Sequence, residues 1–254
     1  MKQTLAALSL LALTLPLAAC GSDANGTARG SGPTTITVLA AASLTGTFTE
    51  LAGRFEAEHP GTRVKLAFDS SATLAQQALE GAPADVLATA DTATMDGAAD
   101  ALATEPRVFA SNTMVLVTPR DNPAGLTSFA DLGRPDVDYV ACVATAPCGK
   151  VAAALIEDNA LATEPASLEV DVKAVLAKVT SDEADAGFVY RSDAVAAADE
   201  VERLAIPGAR DEPTTYPVAV LQQSAHPGPA GQFVDLVRSG QGRRVLADAG
   251  FGRP

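Results

Sequence analysis

The chain has 254 residues, 18 Lys and Arg against 31 Asp and Glu, and a formal net charge of −13. So acidic a composition excludes nucleic acid as a partner, because neutralising phosphates takes clustered basic side chains. Apolar residues make up 47%, which excludes global disorder, and the lack of Trp beside only 3 Tyr and 8 Phe argues against a stacking platform for sugars.

Residues 1–19 carry Lys2 and then an apolar run from Leu5 to Leu17. The run is shorter than the about 20 residues of a membrane helix and has the form of a secretory signal peptide. Its end, Leu17-Ala18-Ala19-Cys20-Gly21, resembles a bacterial lipobox, in which small residues precede a Cys that takes a diacylglyceryl group. The reading is a lipoprotein signal peptide over 1–19, with Cys20 lipidated and the mature protein anchored on the extracytoplasmic face of the cell membrane. The alternative is an ordinary signal peptide with an incidental Cys. Residues 20–33 are rich in Gly, Ser, Asn and Thr and read as a flexible tether with a reach of roughly 20 Å.

From Thr34 onward, strand-like and helix-like segments alternate. TTITVL (34–39) is β-rich; Leu44, Phe48, Leu51 and Phe55 then recur at helical spacing, and His59-Pro60-Gly61 ends that helix. Val64, Leu66 and Phe68 alternate as a strand, 74–80 reads as a helix ending at Gly81, and 85–90 and 113–118 read as strands. The second half predicts strands over 139–143, 186–190 and 216–221, with helices over 150–158, 172–179, 192–198, 229–239 and 243–249. Such alternation implies α/β architecture with mostly parallel sheets covered by helices on both faces. No internal repeat of 20–50 residues is visible.

In open α/β sheets, ligands bind beyond the carboxyl ends of the strands. Three such positions here are runs of small residues leading into helices: Ala40-Ala41-Ala42-Ser43, Asp69-Ser70-Ser71-Ala72 and Ala146-Pro147-Cys148-Gly149. A helix N-terminus offers unpaired N–H groups and the positive end of the helix dipole, and small residues let an anion approach them. The same residues are also good helix caps, so each turn alone reads either way.

ITVLAAASLT, FDSSATLAQQ, GAPADVLATAD, APCGK, FVYRSDAV and YPVAV, in that order and at these spacings, resemble the periplasmic molybdate-binding proteins of ABC importers, from about residue 35 to 252. The resemblance implies a two-lobed type II periplasmic binding protein fold, each lobe a mostly parallel sheet flanked by helices, with the ligand in the interlobe cleft. It implies lobes formed by 34–113 plus 219–254 and by 114–218. It implies an oxyanion of molybdenum or tungsten held by the hydroxyl and N–H of Ser43 and Ser71, the N–H of Cys148 and Val172, and the phenol of Tyr190. The partners it implies are that oxyanion and the membrane subunits of a permease; the binding protein itself acts as a monomer, without cofactor and without catalysis. Asp69 departs from the small neutral residue usual at its position. A carboxylate there would repel a dianion, and strand alternation predicts that it points away.

Cys142 and Cys148 lie six residues apart beside an implied ligand contact. Outside the membrane a disulfide is expected, the alternative being two buried thiols. Only His59 and His226 are present and no metal-ligand spacing occurs, so no cation site is expected. Asp85 and Asp91 bracket one strand and read as capping or lobe-stabilising groups rather than a catalytic pair. Ser192 and Asp193, after Tyr190, read as caps. No G-x-S-x-G, S-x-x-K or phosphate loop is present, so nucleophilic catalysis lacks its parts. The competing readings are a binding protein of the same fold for sulfate, thiosulfate or another small anion, a transferase on that fold, and a structural surface lipoprotein.

Overall fold

The structure is a computed structural model and describes residues 33–254; the signal peptide, Cys20 and nearly all of the tether lie outside the described residues. The elements in chain order are β1 (Thr34–Ala41), α1 (Thr45–Glu58), β2 (Thr62–Asp69), α2 (Ser71–Leu79), β3 (Val86–Ala88), α3 (Thr92–Gly97), β4 (Arg107–Asn112) and β5 (Met114–Pro119). They continue with β6 (Tyr139–Cys142), α4 (Pro147–Asp158), β7 (Ser167–Glu169), α5 (Val172–Thr180), β8 (Ala186–Tyr190), α6 (Arg191–Ala196), β9 (Val201–Leu204), β10 (Thr214–Val220), α7 (Pro227–Arg238) and α8 (Gly240–Asp248).

Two five-stranded sheets result, ordered β2-β1-β3-β10-β4 and β7-β6-β8-β5-β9. The two orders correspond position by position. In each, three strands run parallel, and the fourth, β10 or β5, runs antiparallel to both its neighbours. Four of the five strands in each sheet therefore share one direction, and one strand makes the sheet mixed. The reason is geometric: β5 and β10 each enter from the other lobe at the cleft, where β8 and β3 end, so they must run the opposite way.

Strand pairing bears on where the chain passes from one sheet to the other. The first crossing is Thr113, between β4 and β5. The second was expected at 218/219, but β10 pairs with the first sheet along its whole length, from Thr214 opposite Asn112 to Val220 opposite Val86. The chain therefore returns within 205–213. The polar start of β10, Thr214-Thr215, gives no apolar pattern to mark it.

In the first lobe, the helical stripe foreseen in the sequence is the core. Leu44, Phe48, Leu51 and Phe55 are all fully buried. Phe48 packs on Phe109 of β4 and on Phe233 of α7, each at 5.8 Å between ring centroids, and Phe55 meets Phe233 edge-on at 5.6 Å. A second cluster, with Leu39, Leu74, Leu87 and Met95, covers the other face. In the second lobe α5 lies close on β8 because Gly187 leaves room. A Cβ there would come within 2.8 Å of methyl carbons of Val175 and Val179. That close approach sets where the start of α5 falls. Phe233→Ala removes the ring shared by two aromatic contacts, and we expect it to lower stability by about 3–5 kcal/mol in urea denaturation.

Candidate functional site

Five segments converge where the lobes meet. β1 ends in a single 3₁₀ turn, Ala42–Leu44, which carries Ser43; β2 ends at Asp69 and α2 begins at Ser71; α4 begins at Pro147, α5 at Val172, and β8 ends at Tyr190. Ser43, Ser71, Cys148, Val172 and Tyr190 all line one cavity, together with Ala41, Ala42, Asp69, Ser70, Ala90, Ala146, Pro147 and Asp171. Its volume is about 20 Å³. On that measure one water needs about 10–15 Å³, so the cavity is on the scale of a single small ion. No Lys or Arg is among the lining residues.

The hydrogen bonds show what the small residues of these turns do. The residues before the Ser43 turn, α2 and α4 are Ala41, Ser70 and Ala146, and none makes a side-chain cap. The Ser71 hydroxyl instead accepts the N–H of Ala90 at 2.9 Å, and the Ser43 hydroxyl lies 3.0 Å from that of Tyr216. Ser71 and Val172 open their helices and Cys148 follows Pro147 in the first turn of α4, so their N–H groups lack intrahelical acceptors. The phenolic oxygen of Tyr190 is buried and has no hydrogen-bond partner among the described residues. Burial pushes its pKa well above the ordinary tyrosine value, so it keeps its proton. A buried orphan hydroxyl costs free energy unless something polar meets it.

A disulfide joins Cys142, at the end of β6, to Cys148 in α4. Gly149 completes this fastening. A Cβ on it would stand 2.0 Å from the carbonyl oxygen of Val143 and 2.7 Å from that of Cys142, so only Gly lets α4 start this close to β6.

Two carboxylates, Asp69 and Asp171, line the cavity, and Asp193, Asp91 and Asp85 are not on its wall. Asp69, the last residue of β2, is among the lining residues, and its carboxylate accepts the Ser70 N–H at 2.6 Å. Asp171, which the sequence reading missed, caps α5 by accepting the N–H of Lys173 at 2.7 Å and of Ala174 at 3.0 Å. Asp193 is fully buried, accepts the Tyr190 N–H at 3.3 Å and pairs with Lys173 at 2.9 Å. Burial raises its pKa, and Lys173 pulls the other way. Asp91 accepts the Thr94 N–H at 2.8 Å and pairs with Lys150 at 3.0 Å. Lys150 belongs to α4 and Asp91 to the first lobe, so this pair spans the cleft beside the cavity. Asp85 accepts from the Thr37 N–H at 2.7 Å and the Ser224 hydroxyl at 2.6 Å, a purely structural role. Lys150 stands in the APCGK segment, but its partner 59 residues upstream could not be read from sequence. Among the described residues no group of three or more His, Cys, Asp or Glu is placed to hold a cation.

Two sheets meeting at a cleft, with helix N-termini on its wall, have the architecture of a solute receptor. The family model of the bacterial extracellular solute-binding proteins matches residues 36–252, and the chain belongs to that family. It is 42% identical to the molybdate-binding protein ModA of Mycobacterium tuberculosis over 95% of both chains, and 33% identical to that of Escherichia coli over 85% of this chain and 88% of the other. The structure of the Azotobacter vinelandii periplasmic molybdate-binding protein superposes with a TM-score of 0.76, covering 86% of this chain and 99% of that one at 22% identity. These relatives are solute-binding proteins, not enzymes.

Gly149→Ala should push the first turn of α4 away from β6 and destabilise the fold by about 1–3 kcal/mol in urea denaturation, with the disulfide intact.

Proposed function

We propose that this protein captures molybdate, or tungstate of the same charge and shape, outside the membrane and delivers it to the permease of an ABC importer. One observation carries the reading: a cavity of single-ion size is lined by hydroxyls and helix-start amides, including the orphan Tyr190 phenol, with no cation on its wall. The similarity to ModA relatives supports the same ligand. Ser43 and Ser71 supply hydroxyl and N–H donors, Cys148 and Val172 supply N–H donors, and Tyr190 supplies its phenol. Hydrogen bonds to a charged partner are roughly twice as strong as neutral ones, so several together supply high affinity where the net charge of −13 opposes approach.

Closure of the two lobes traps the ion, with the Lys150–Asp91 pair as a bond made across the cleft; docking on the permease opens it. The protein works as a monomer, held to the membrane through lipidated Cys20 and the 20–33 tether. Lobes of 34–113 plus 214–254 and of 114–204, joined by Thr113 and the 205–213 segment, give the two moving bodies.

Titration calorimetry with molybdate, tungstate and sulfate tests this. Molybdate and tungstate should bind tightly and sulfate weakly; tight sulfate binding with no molybdate binding would make this a sulfate receptor. Ser71→Ala should weaken molybdate binding by about 1.5–3 kcal/mol, and an unchanged dissociation constant removes Ser71 from the site. Because the Tyr190 pKa lies above the ordinary value near 10, affinity should stay flat from about pH 6 to about pH 9. A loss of affinity with a midpoint inside that window would contradict the phenol's role.

A further inference from the structure

A serine hydroxyl has one proton and two lone pairs, so it can give a hydrogen bond to an anion or take one from a protonated anion. Which of these Ser43 does depends on what occupies its other side. Its neighbour there is the hydroxyl of Tyr216, 3.0 Å away, and Tyr216 does not line the cavity. Behind Tyr216 stands Asn112, the last residue of β4. Its amide orientation is fixed because its carbonyl oxygen accepts the Thr113 N–H at 3.0 Å. The NH₂ group is therefore the part that faces the Ser192 hydroxyl at 2.8 Å and the Tyr216 hydroxyl at 3.5 Å.

We infer that Tyr216 and Asn112 are positioning residues that set the direction of the Ser43 hydroxyl, so that it donates into the cavity and does not accept from it. The inference rests on the reading of the cavity as an oxyanion site. An amide NH₂ donates only. With Asn112 donating to it, the single proton of Tyr216 goes to the oxygen of Ser43. Tyr216 is fully buried and burial raises its pKa, so that proton is always present. The Ser43 oxygen then has its acceptor side filled, and its own hydrogen points at the ligand. Ser71 arrives at the same state by accepting the Ala90 N–H at 2.9 Å, and Tyr190 by having no other partner. Of the wall carboxylates, Asp69 and Asp171, one oxygen each accepts from backbone amides.

Three hydroxyls are thus set as donors. A fully deprotonated tetrahedral dianion satisfies them all. Hydrogen phosphate brings an O–H that none of these three hydroxyls accepts, so it matches them less well than the dianion does. Tyr216 and Asn112 therefore act on selectivity between anions, through Ser43, without touching either anion.

The test titrates molybdate and phosphate into wild type, Tyr216→Phe, Ser43→Ala and the double variant by calorimetry. Phe keeps the ring that packs on Tyr190, Phe109 and Phe251. Tyr216→Phe frees the Ser43 hydroxyl to rotate, so molybdate binding should weaken about ten-fold and the ratio of phosphate to molybdate affinity should rise at least about ten-fold. In the Ser43→Ala background the same substitution should change neither by more than about two-fold. Asn112→Ala, which leaves Tyr216 in place, should move the ratio in the same direction, so a poorly folded Tyr216 variant does not decide the matter. An unchanged ratio in Tyr216→Phe and in Asn112→Ala, or an effect of Tyr216→Phe that persists without Ser43, overturns the inference while leaving the site intact. A wild-type protein that binds no oxyanion overturns the site reading, and this inference with it.

Discussion

On the proposed function the structure depends on one constraint: a doubly negative ion is to be held in a cavity that has no positive side chain on its wall. The attraction must then come from N–H and O–H groups, and each counts only if its proton has nowhere better to go. The first turn of a helix guarantees this for amides, since its N–H groups have no intrahelical acceptor. For hydroxyls it must be arranged. Ser71 has its acceptor side filled by a backbone amide, Ser43 by Tyr216, and Tyr190 is buried without a partner. The two nearest lysines are engaged: Lys173 with buried Asp193, and Lys150 with Asp91 across the cleft.

The fold serves that constraint through where it places chain ends. β1, β2 and β8 all finish at the cleft, and the helices or turns that follow begin there. The crossing strands β5 and β10 start at the same level and run away from it, which is why each sheet is mixed and why the two sheets share one strand order. Close approaches then fix the donors. Gly149 and the Cys142–Cys148 disulfide hold α4 against β6, and Gly187 lets α5 lie on β8.

Much of this was legible in the sequence, for identifiable reasons. The stripe Leu44, Phe48, Leu51, Phe55 has helical spacing, and β8 has an unbroken apolar run ending in Tyr190. The three turns of small residues stood out because they follow strands. What escaped were short or polar elements: β7 and β9 are edge strands of three and four residues, α3 has six, and β4 mixes Arg, Ser and Asn with its apolar residues. The start of β10 was lost for the same reason. The partnership of Asp91 with Lys150, and of Ser43 with Tyr216 173 residues away, depends on tertiary contact alone, which no local pattern encodes. The correspondence between the two sheets left no sequence repeat, because strand order and direction repeat while side chains do not.

The most direct test of the central claim is anomalous diffraction at the molybdenum edge from crystals grown with molybdate. The account predicts one strong peak inside the cavity, within hydrogen-bond reach of Ser43, Ser71, Cys148, Val172 and Tyr190, with no Lys or Arg nitrogen bonded to the ion's oxygens. A peak coordinated instead by Lys150, Lys173 or a surface arginine, with the cavity holding none, would contradict it.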